Sequence, residues 1–382
     1  MRSNTTVSPS PWPPRPGVNA AAILAGESAT ATKAQRAAAE CRSVAAELLD
    51  DPDNLDLALR LHAISAEPRN AAVLFDLACR IRDEHVGRCF VPAGVVSPIA
   101  ICAVTPPCVY CPRTPGYFLT DAQALEALTM LAGHGLHWVY LNGGTLPGGY
   151  DAQALALVEA AVEAGLSPVL NFGPSFSRAG LRALHRSGAA AIVTSTEAFT
   201  PELFARLKPG EAPDARQVLM DDCEEEGIPF ETIAIAGVGE RIEDHLDHLR
   251  RLRRYRCLRR VSFSRFRPAA GTPMADCMRC SPWAVARLVA LARLVLPPAC
   301  EIGLNMGLEA DELPLWFAAG GGGGRIHAVV ASPRDDGHLP AGEGSRLAGP
   351  QGCVVVDRRP LLAGMLAEFG ASLAAFPPRM AA

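Results

Sequence analysis

The sequence predicts an α/β protein, a TIM-like (βα) barrel with a helical N-terminal extension. Three observations predict it. After Gly94, short β-branched runs alternate with amphipathic helical stretches, repeating about every 25–35 residues as parallel strands with helical crossovers do. The chemically suggestive motifs fall at or just after the C-terminal ends of those strands, where such barrels keep their sites. The chain is also long and apolar enough for one large core, with 382 residues of which 49% are hydrophobic and 20% charged.

The elements follow in order. Residues 1–18 hold five prolines among Ser and Thr and read as a disordered tail, too poor in apolar side chains to pack. Residues 19–93 form a helical extension. Within it Asp51-Pro52-Asp53-Asn54 is a turn, and Leu57, Leu61 and Ile64 recur at helix spacing. The barrel is expected over 94–332, with strands at 96–102, 138–141, 168–171, 190–194, 230–236, 260–263 and 301–304. Helices are expected near 121–133, 151–164, 177–187, 214–226, 241–254, 282–295 and 309–318. A glycine run at 320–324 interrupts the last repeat, and 331–351 reads as a loop. Residues 333–382 then supply a C-terminal loop, a strand at 353–356 and a helix at 360–372.

Net charge is −4, which argues against a nucleic-acid surface; the run Arg250-Arg251-Leu252-Arg253-Arg254 reads as a solvated helix face. No apolar run reaches membrane-spanning length, and no apolar segment of secretory type precedes Pro11. A cytoplasmic protein is therefore expected, with neither a membrane nor a nucleic-acid partner. Twelve cysteines in such a protein are not a disulfide framework. Burial accounts for Cys41 and Cys79, which lie among Ala and Leu in helical stretches.

Cys102, Cys108 and Cys111 are different. They form C-x5-C-x2-C directly after the first expected strand. Structural zinc takes four ligands, usually as two C-x2-C pairs, whereas this loop has one pair, one outlier and no His. A 4Fe–4S cluster usually takes four cysteines. Three would leave one iron open to a chelating ligand, such as the amino and carboxylate groups of S-adenosylmethionine (SAM). A zinc knuckle with a remote fourth ligand is the competing reading.

The triplet and its surroundings resemble the radical SAM superfamily, in its biotin synthase-like group, over residues 55–332. The stretch Leu74-Phe75-Asp76-Leu77-Ala78-Cys79-Arg80-Ile81-Arg82-Asp83-Glu84-His85-Val86-Gly87 is similar to the segment before the cysteine loop in that group. Most members space the cysteines C-x3-C-x2-C; the spacing here is similar to that of HmdB. The resemblance implies a 4Fe–4S cluster on Cys102, Cys108 and Cys111, SAM as second cofactor, and a reductant such as flavodoxin or ferredoxin. One electron then breaks a C–S bond of SAM, and the resulting 5′-deoxyadenosyl radical abstracts hydrogen from a small substrate of a specialised biosynthetic pathway. Rearrangement, lyase, methyl-transfer and group-insertion outcomes all remain open.

It also implies SAM contacts. Tyr110, just before the third cysteine, would flank the adenine. The turn Asn142-Gly143-Gly144-Thr145 resembles the group's Gly-Gly-Glu turn; Gly143 and Gly144 would bring backbone to the SAM amino group, and Thr145 replaces the acid. Asn171, in Asn171-Phe172-Gly173, would face the SAM carboxylate. Glu197 would bind the ribose or the sulfonium end. The segment Leu207-Lys208-Pro209-Gly210 leads to Arg216, which would pair with the SAM carboxylate. Ile235 and Gly237 match G-x-I-x-G-x-x-E, an apolar cover for adenine followed by a tight turn, with Ile233 in place of the first glycine.

Biotin synthase carries a second cluster on inner-strand cysteines; about those positions stand Leu141, Val169 and Glu231, which argues against that route. Glu231 becomes a candidate substrate contact. Strand alternation puts Ser262 and Ser264 on one face and Phe263, Arg265 and Arg267 on the other. Ser264, one of Arg265 and Arg267, and Asn305 are expected to line the substrate cavity, which would suit a carboxylate or other anionic group. Cys277 and Cys280 form a further C-x2-C pair, read as a loop pair rather than an auxiliary metal site. The alternative to an enzyme is a non-catalytic zinc-binding or scaffold protein on a degenerate barrel, against which the intact triplet argues.

Overall fold

A computed structural model describes residues 20–112, 118–197, 200–304, 310–333 and 344–375. It opens with three helices, α1 (Ala20–Asp50), α2 (Leu55–Ile64) and α3 (Pro68–His85). Strands and helices then alternate: β1 (Cys89–Val96), α4 (Asp121–Gly133), β2 (Trp138–Asn142), α5 (Asp151–Glu163), β3 (Ser167–Asn171), α6 (Arg178–Arg186) and β4 (Ala191–Val193). After α7 (Pro201–Leu207) and α8 (Ala215–Glu225) come β5 (Phe230–Ala236), α9 (Ile242–Leu252), β6 (Leu258–Arg265), α10 (Pro282–Val295) and β7 (Glu301–Leu304). The chain continues through α11 (Leu313–Ala318), β8 (Gly324–Ser332), β9 (Ser345–Ala348), β10 (Val354–Asp357), α12 (Arg359–Glu368) and β11 (Ser372–Leu373).

The sheet runs β7-β6-β5-β4-β3-β2-β1-β8-β10-β9, with β11 beside the start of β1. Strands β1 to β8 pair in parallel along this path, and β10 and β9 are added antiparallel. Alternation divides the strands into two faces. Ala93, Val95, Tyr140, Val169, Ala191 and Val193 form a cluster inside the barrel. Val96, Val139, Leu141, Leu170, Ile192, Val261, Phe263 and Ile302 belong to the layer packed against the helices. Burial on both faces is why the strands read as apolar runs. The N-terminal helices cover one side of this layer, with Phe75 of α3 against Trp283 of α10 at 5.2 Å between ring centroids.

Among the described residues no ladder joins β7 to β8. The gap is bridged low in the barrel by Gly322 N donating to Ile302 O (2.9 Å) and by Arg260 donating to the Arg325 carbonyl (2.7 Å). Higher up, residues Val329 to Ser332 of β8 pair with β10. The hairpin β9–β10 thus occupies the edge through which β8 would otherwise meet β7.

Three expectations need correction. The first strand is Cys89–Val96, not 96–102; Pro92 and Gly94 inside it read as strand breakers, so the barrel begins before residue 94. The eighth strand, Gly324–Ser332, was not expected, because a glycine run precedes it and Arg325 and His327 disguise its apolar character. On β2 the inward residues are Tyr140 and Asn142, whereas Leu141 faces the helices.

Candidate functional site

Beyond β1 the chain crosses the C-terminal ends of its neighbours. Ile99 N donates to Asn142 O (2.8 Å), Ala103 N to Thr145 O (2.8 Å) and Val109 N to Leu207 O (2.9 Å). Two glycines let this loop approach so closely. A Cβ on Gly144 would collide with the Cys102 backbone, and one on Gly210 with the carbonyls of Thr105 and Pro106. Cys102, Cys108 and Cys111 are half-buried cysteines, outside any disulfide, on the clamped loop. Burial pushes the Cys108 thiol up to about 11, opposed by Lys208. The three sulfurs are not gathered into a ligand set: no group of three His, Cys, Asp or Glu side chains in metal-holding arrangement occurs among the described residues. The chemistry of the donors, three cysteine sulfurs on one anchored loop, still suits an iron–sulfur cluster.

The expected SAM residues surround this loop. Tyr110 donates its hydroxyl to Glu197, and Lys208 forms an ion pair with the same carboxylate. Burial tends to raise the Glu197 pKa, but Lys208 and Arg216 outweigh it and hold the carboxyl below its ordinary value. Lys208 is itself buried. Asn171 ends β3 and accepts a hydrogen bond from Ser195 Oγ (3.0 Å). Arg216 is buried and already engaged: it pairs with Glu211 and donates to the carbonyls of Thr194 (2.9 Å) and Ser195 (2.6 Å). The amides of Gly143 and Gly144 donate to Asn171 O (2.9 Å) and Ala100 O (2.8 Å). Ile235 is half-buried on β5. Gly237 has φ +93°, with Cys280 against it, and its amide and that of Val238 donate to Glu240 (2.6 and 2.8 Å). His245 faces the same carboxylate at 3.0 Å. Burial opposes ionisation, yet these partners hold Glu240 at about 2. The acid of that motif thus ties down its own turn.

Beneath the loop lies a cavity in the barrel, lined by Tyr140, Asn142, Asn171, Val193, Glu231, Thr232, Ile233, Ser262 and His327. Glu231 faces it, as expected, accepting from Tyr140 (2.9 Å) and pairing with Arg325 (2.7 Å). The other expected substrate residues are placed differently. Arg265 lies on the Phe263 face and pairs with Glu312 at 2.5 Å, and Arg267 is exposed. Neither lines the cavity, because strand alternation turns both away from the Ser262 face. Asn305 lies outside the described residues. Ser264 shares the face of Ser262 one step nearer the mouth, and its buried hydroxyl has no partner among the described residues. Cys280 donates to Ala236 O (3.4 Å), and Cys277 is exposed.

Sequence reading missed Tyr140, Asn142, Arg260, Arg325 and His327 inside the barrel, and Lys208 beside the loop. Each interior residue breaks an apolar run at an inward period-two position, a trace that an assumption of wholly apolar inner faces hides.

No family model matches the chain. It is 26% identical over 292 residues to the uncharacterized protein MJ0785 of Methanocaldococcus jannaschii, covering 72% of this chain and 74% of that one. It is 30% identical over 177 residues to 7,8-didemethyl-8-hydroxy-5-deazariboflavin synthase of Methanothermobacter thermautotrophicus, covering 44% of this chain and 53% of the synthase. The match therefore spans about half of that relative. Among solved structures, methylornithine synthase superposes with a TM-score of 0.69 at 22% identity, covering 87% of this chain and 97% of that one. This likeness supports the barrel fold.

Proposed function

We propose that this chain is a radical SAM enzyme of the biotin synthase-like group, working with a 4Fe–4S cluster and SAM, a reading supported by its partial likeness to 7,8-didemethyl-8-hydroxy-5-deazariboflavin synthase and biotin synthase, and that its own residues divide the labour as follows. Cys102, Cys108 and Cys111 hold the cluster. The observation that carries this assignment is the loop clamped between Gly144 and Gly210, which keeps three cysteines, none in a disulfide, at the C-terminal mouth of the barrel. When bound, the cluster and SAM supply a carbon-centred radical that takes hydrogen from a substrate.

Tyr110, Glu197 and Lys208 form the polar wall beside the loop; Tyr110 offers its ring to the adenine and Glu197 an anion to the ribose and sulfonium end of SAM. Arg216 acts through the chain just after β4 rather than on the ligand, since its donors are committed to Glu211 and to the carbonyls of Thr194 and Ser195. The small-molecule substrate occupies the barrel cavity below. A one-electron reductant such as flavodoxin or ferredoxin serves the cluster, and the product belongs to a specialised biosynthetic pathway.

The test is anaerobic reconstitution with iron and sulfide, followed by an assay for SAM cleavage under dithionite. About four irons per chain are expected, falling to near zero when Cys102, Cys108 and Cys111 are all replaced by Ala. A single zinc ion that persists through reconstitution, with no SAM cleaved, would overturn the assignment.

A further inference from the structure

The barrel cavity is polar but offers no uncommitted charge. Arg260 donates from Nε to Ser262 Oγ (3.0 Å), and from Nη1 to Glu301 (3.0 Å) and to the Arg325 carbonyl (2.7 Å). Arg325 pairs with Glu231 (2.7 Å) and lies over the Trp138 ring at 4.4 Å. Both guanidinium groups are buried and matched by the carboxylates of Glu231 and Glu301. A carboxylate entering the cavity would lie beside Glu231 and lose its water without a new partner. A cation would meet Arg260 and Arg325 instead. This reverses the expectation of an anionic substrate, which rested on Arg265 and Arg267.

Hydrogen bonding, by contrast, is left open. Asn142 Oδ1 and His327 Nε2 are buried with no partner among the described residues, and both residues line the cavity. Buried polar atoms are normally bonded, so each calls for a ligand atom opposite it. Burial, then Arg260, Arg325 and Arg358, push the His327 pKa down to about 3, so its imidazole is neutral. The ring is fixed edge-on against Tyr140 at 4.4 Å between centroids. Asn142 and Asn171 are register partners on adjacent strands, which places two carboxamides side by side at the top of the cavity.

We propose that this cavity is a substrate subsite for an uncharged carboxamide-like group, one that donates and accepts hydrogen bonds at once, held by Asn142, Asn171 and His327. It rests on the radical SAM reading in taking that group as the part of the substrate lodged in the barrel. The side-chain amides and the imidazole match such a group without any proton transfer.

The test uses the full reconstituted chain and three probes of nearly one shape: propionamide, propionate and n-propylammonium. Binding is followed by ligand-observed NMR. Propionamide is expected to bind, and the two ions about tenfold more weakly or worse. Asn142→Leu and His327→Phe should each weaken propionamide by about tenfold. The comparison of probes on the unsubstituted chain holds even if a variant fails to fold. An ion that binds as well as propionamide, or propionamide that does not bind at all, would overturn the subsite. SAM cleavage by the unsubstituted protein is measured in parallel. If cleavage fails while the preference for propionamide stands, the radical reading falls and the subsite survives; the opposite pair of results removes only the subsite.

Discussion

Glu197 is held with φ 59°, and Ser195, two residues earlier, with φ 47°. Such left-handed conformations cost of order 1–3 kcal/mol for non-glycine residues and persist only where the surroundings enforce them. Here the enforcement is visible. Arg216 grips the carbonyls of Thr194 and Ser195, the Glu197 amide donates to Ile233 O (2.8 Å), and Tyr110 and Lys208 hold the carboxylate. The strain aims one acid at the cysteine loop. On the proposed reading, removing Glu197 would cost a charge-assisted hydrogen bond to SAM, and removing Arg216 would release the backbone that presents it. Each of Glu197→Ala and Arg216→Ala should weaken SAM binding by about ten- to a hundredfold, from roughly 1.5–3 kcal/mol, while iron content stays unchanged. SAM titration of the reconstituted variants, read at the cluster, checks this. Unchanged affinity in both would show that the β4 end does not face SAM. Arg216 was legible in the sequence as a functional arginine. Its partners were not, because Glu211 and the carbonyls of Thr194 and Ser195 meet it only through the fold.

At the scale of elements, strand periodicity exposed β2 to β7, including the polar-faced β5 and β6, and hid β8. β2, β3 and β7 were expected within a residue or two of their bounds, since their apolar residues are buried on both sides. β8 escaped because Arg325 and His327 stand among its inward residues and 320–324 reads as a loop. The same blindness misassigned the cavity arginines: Arg265 and Arg267 follow β6's chemistry in sequence, but the face shared with Ser262 belongs to Arg260. The turn after β2 is where element and site meet most directly. Its Gly144 is required by the Cys102 backbone packed against it, so Gly144→Ala should displace the loop. Iron bound after reconstitution should then drop by more than half, whereas Gly133→Ala, with open space around its would-be Cβ at the end of α4, should leave iron unchanged and shift stability by no more than about 1 kcal/mol. Full iron loading in Gly144→Ala would mean that the clamp does not position the cluster ligands.

At the scale of the whole molecule, the seam between β7 and β8 is bridged among the described residues by one backbone hydrogen bond and by side chains. Arg260, Glu301 and Arg325 tie β6, β7 and β8 together where no ladder joins β7 to β8 among the described residues, and His327 lines the barrel cavity. His327 and His248 both have pKa values lowered to about 3, by burial first and by neighbouring charges second, and His62 is lowered to about 4 by burial and Arg287. The sign follows from linkage. The unfolded chain takes up protons on these imidazoles near their ordinary value of 6.5, but the folded chain refuses them until much lower pH. Their contribution is therefore complete above pH 6.5 and drains away as pH falls, at up to roughly 1.4 kcal/mol per pH unit for each of His248 and His327 and less for the half-exposed His62. Glu240, held at about 2 against an ordinary 4.5, loses its contribution only below pH 4.5, in the same direction. The expected result is a urea midpoint that declines between pH 7 and pH 5, before the carboxylates begin to titrate. His248→Leu should flatten that decline, since His248 is 6% exposed and the substitution removes one proton acceptor of the unfolded state. Equal midpoints at pH 7 and pH 5 in the unsubstituted protein would show that the histidines gain their protons without unfolding, and that water reaches their buried sites.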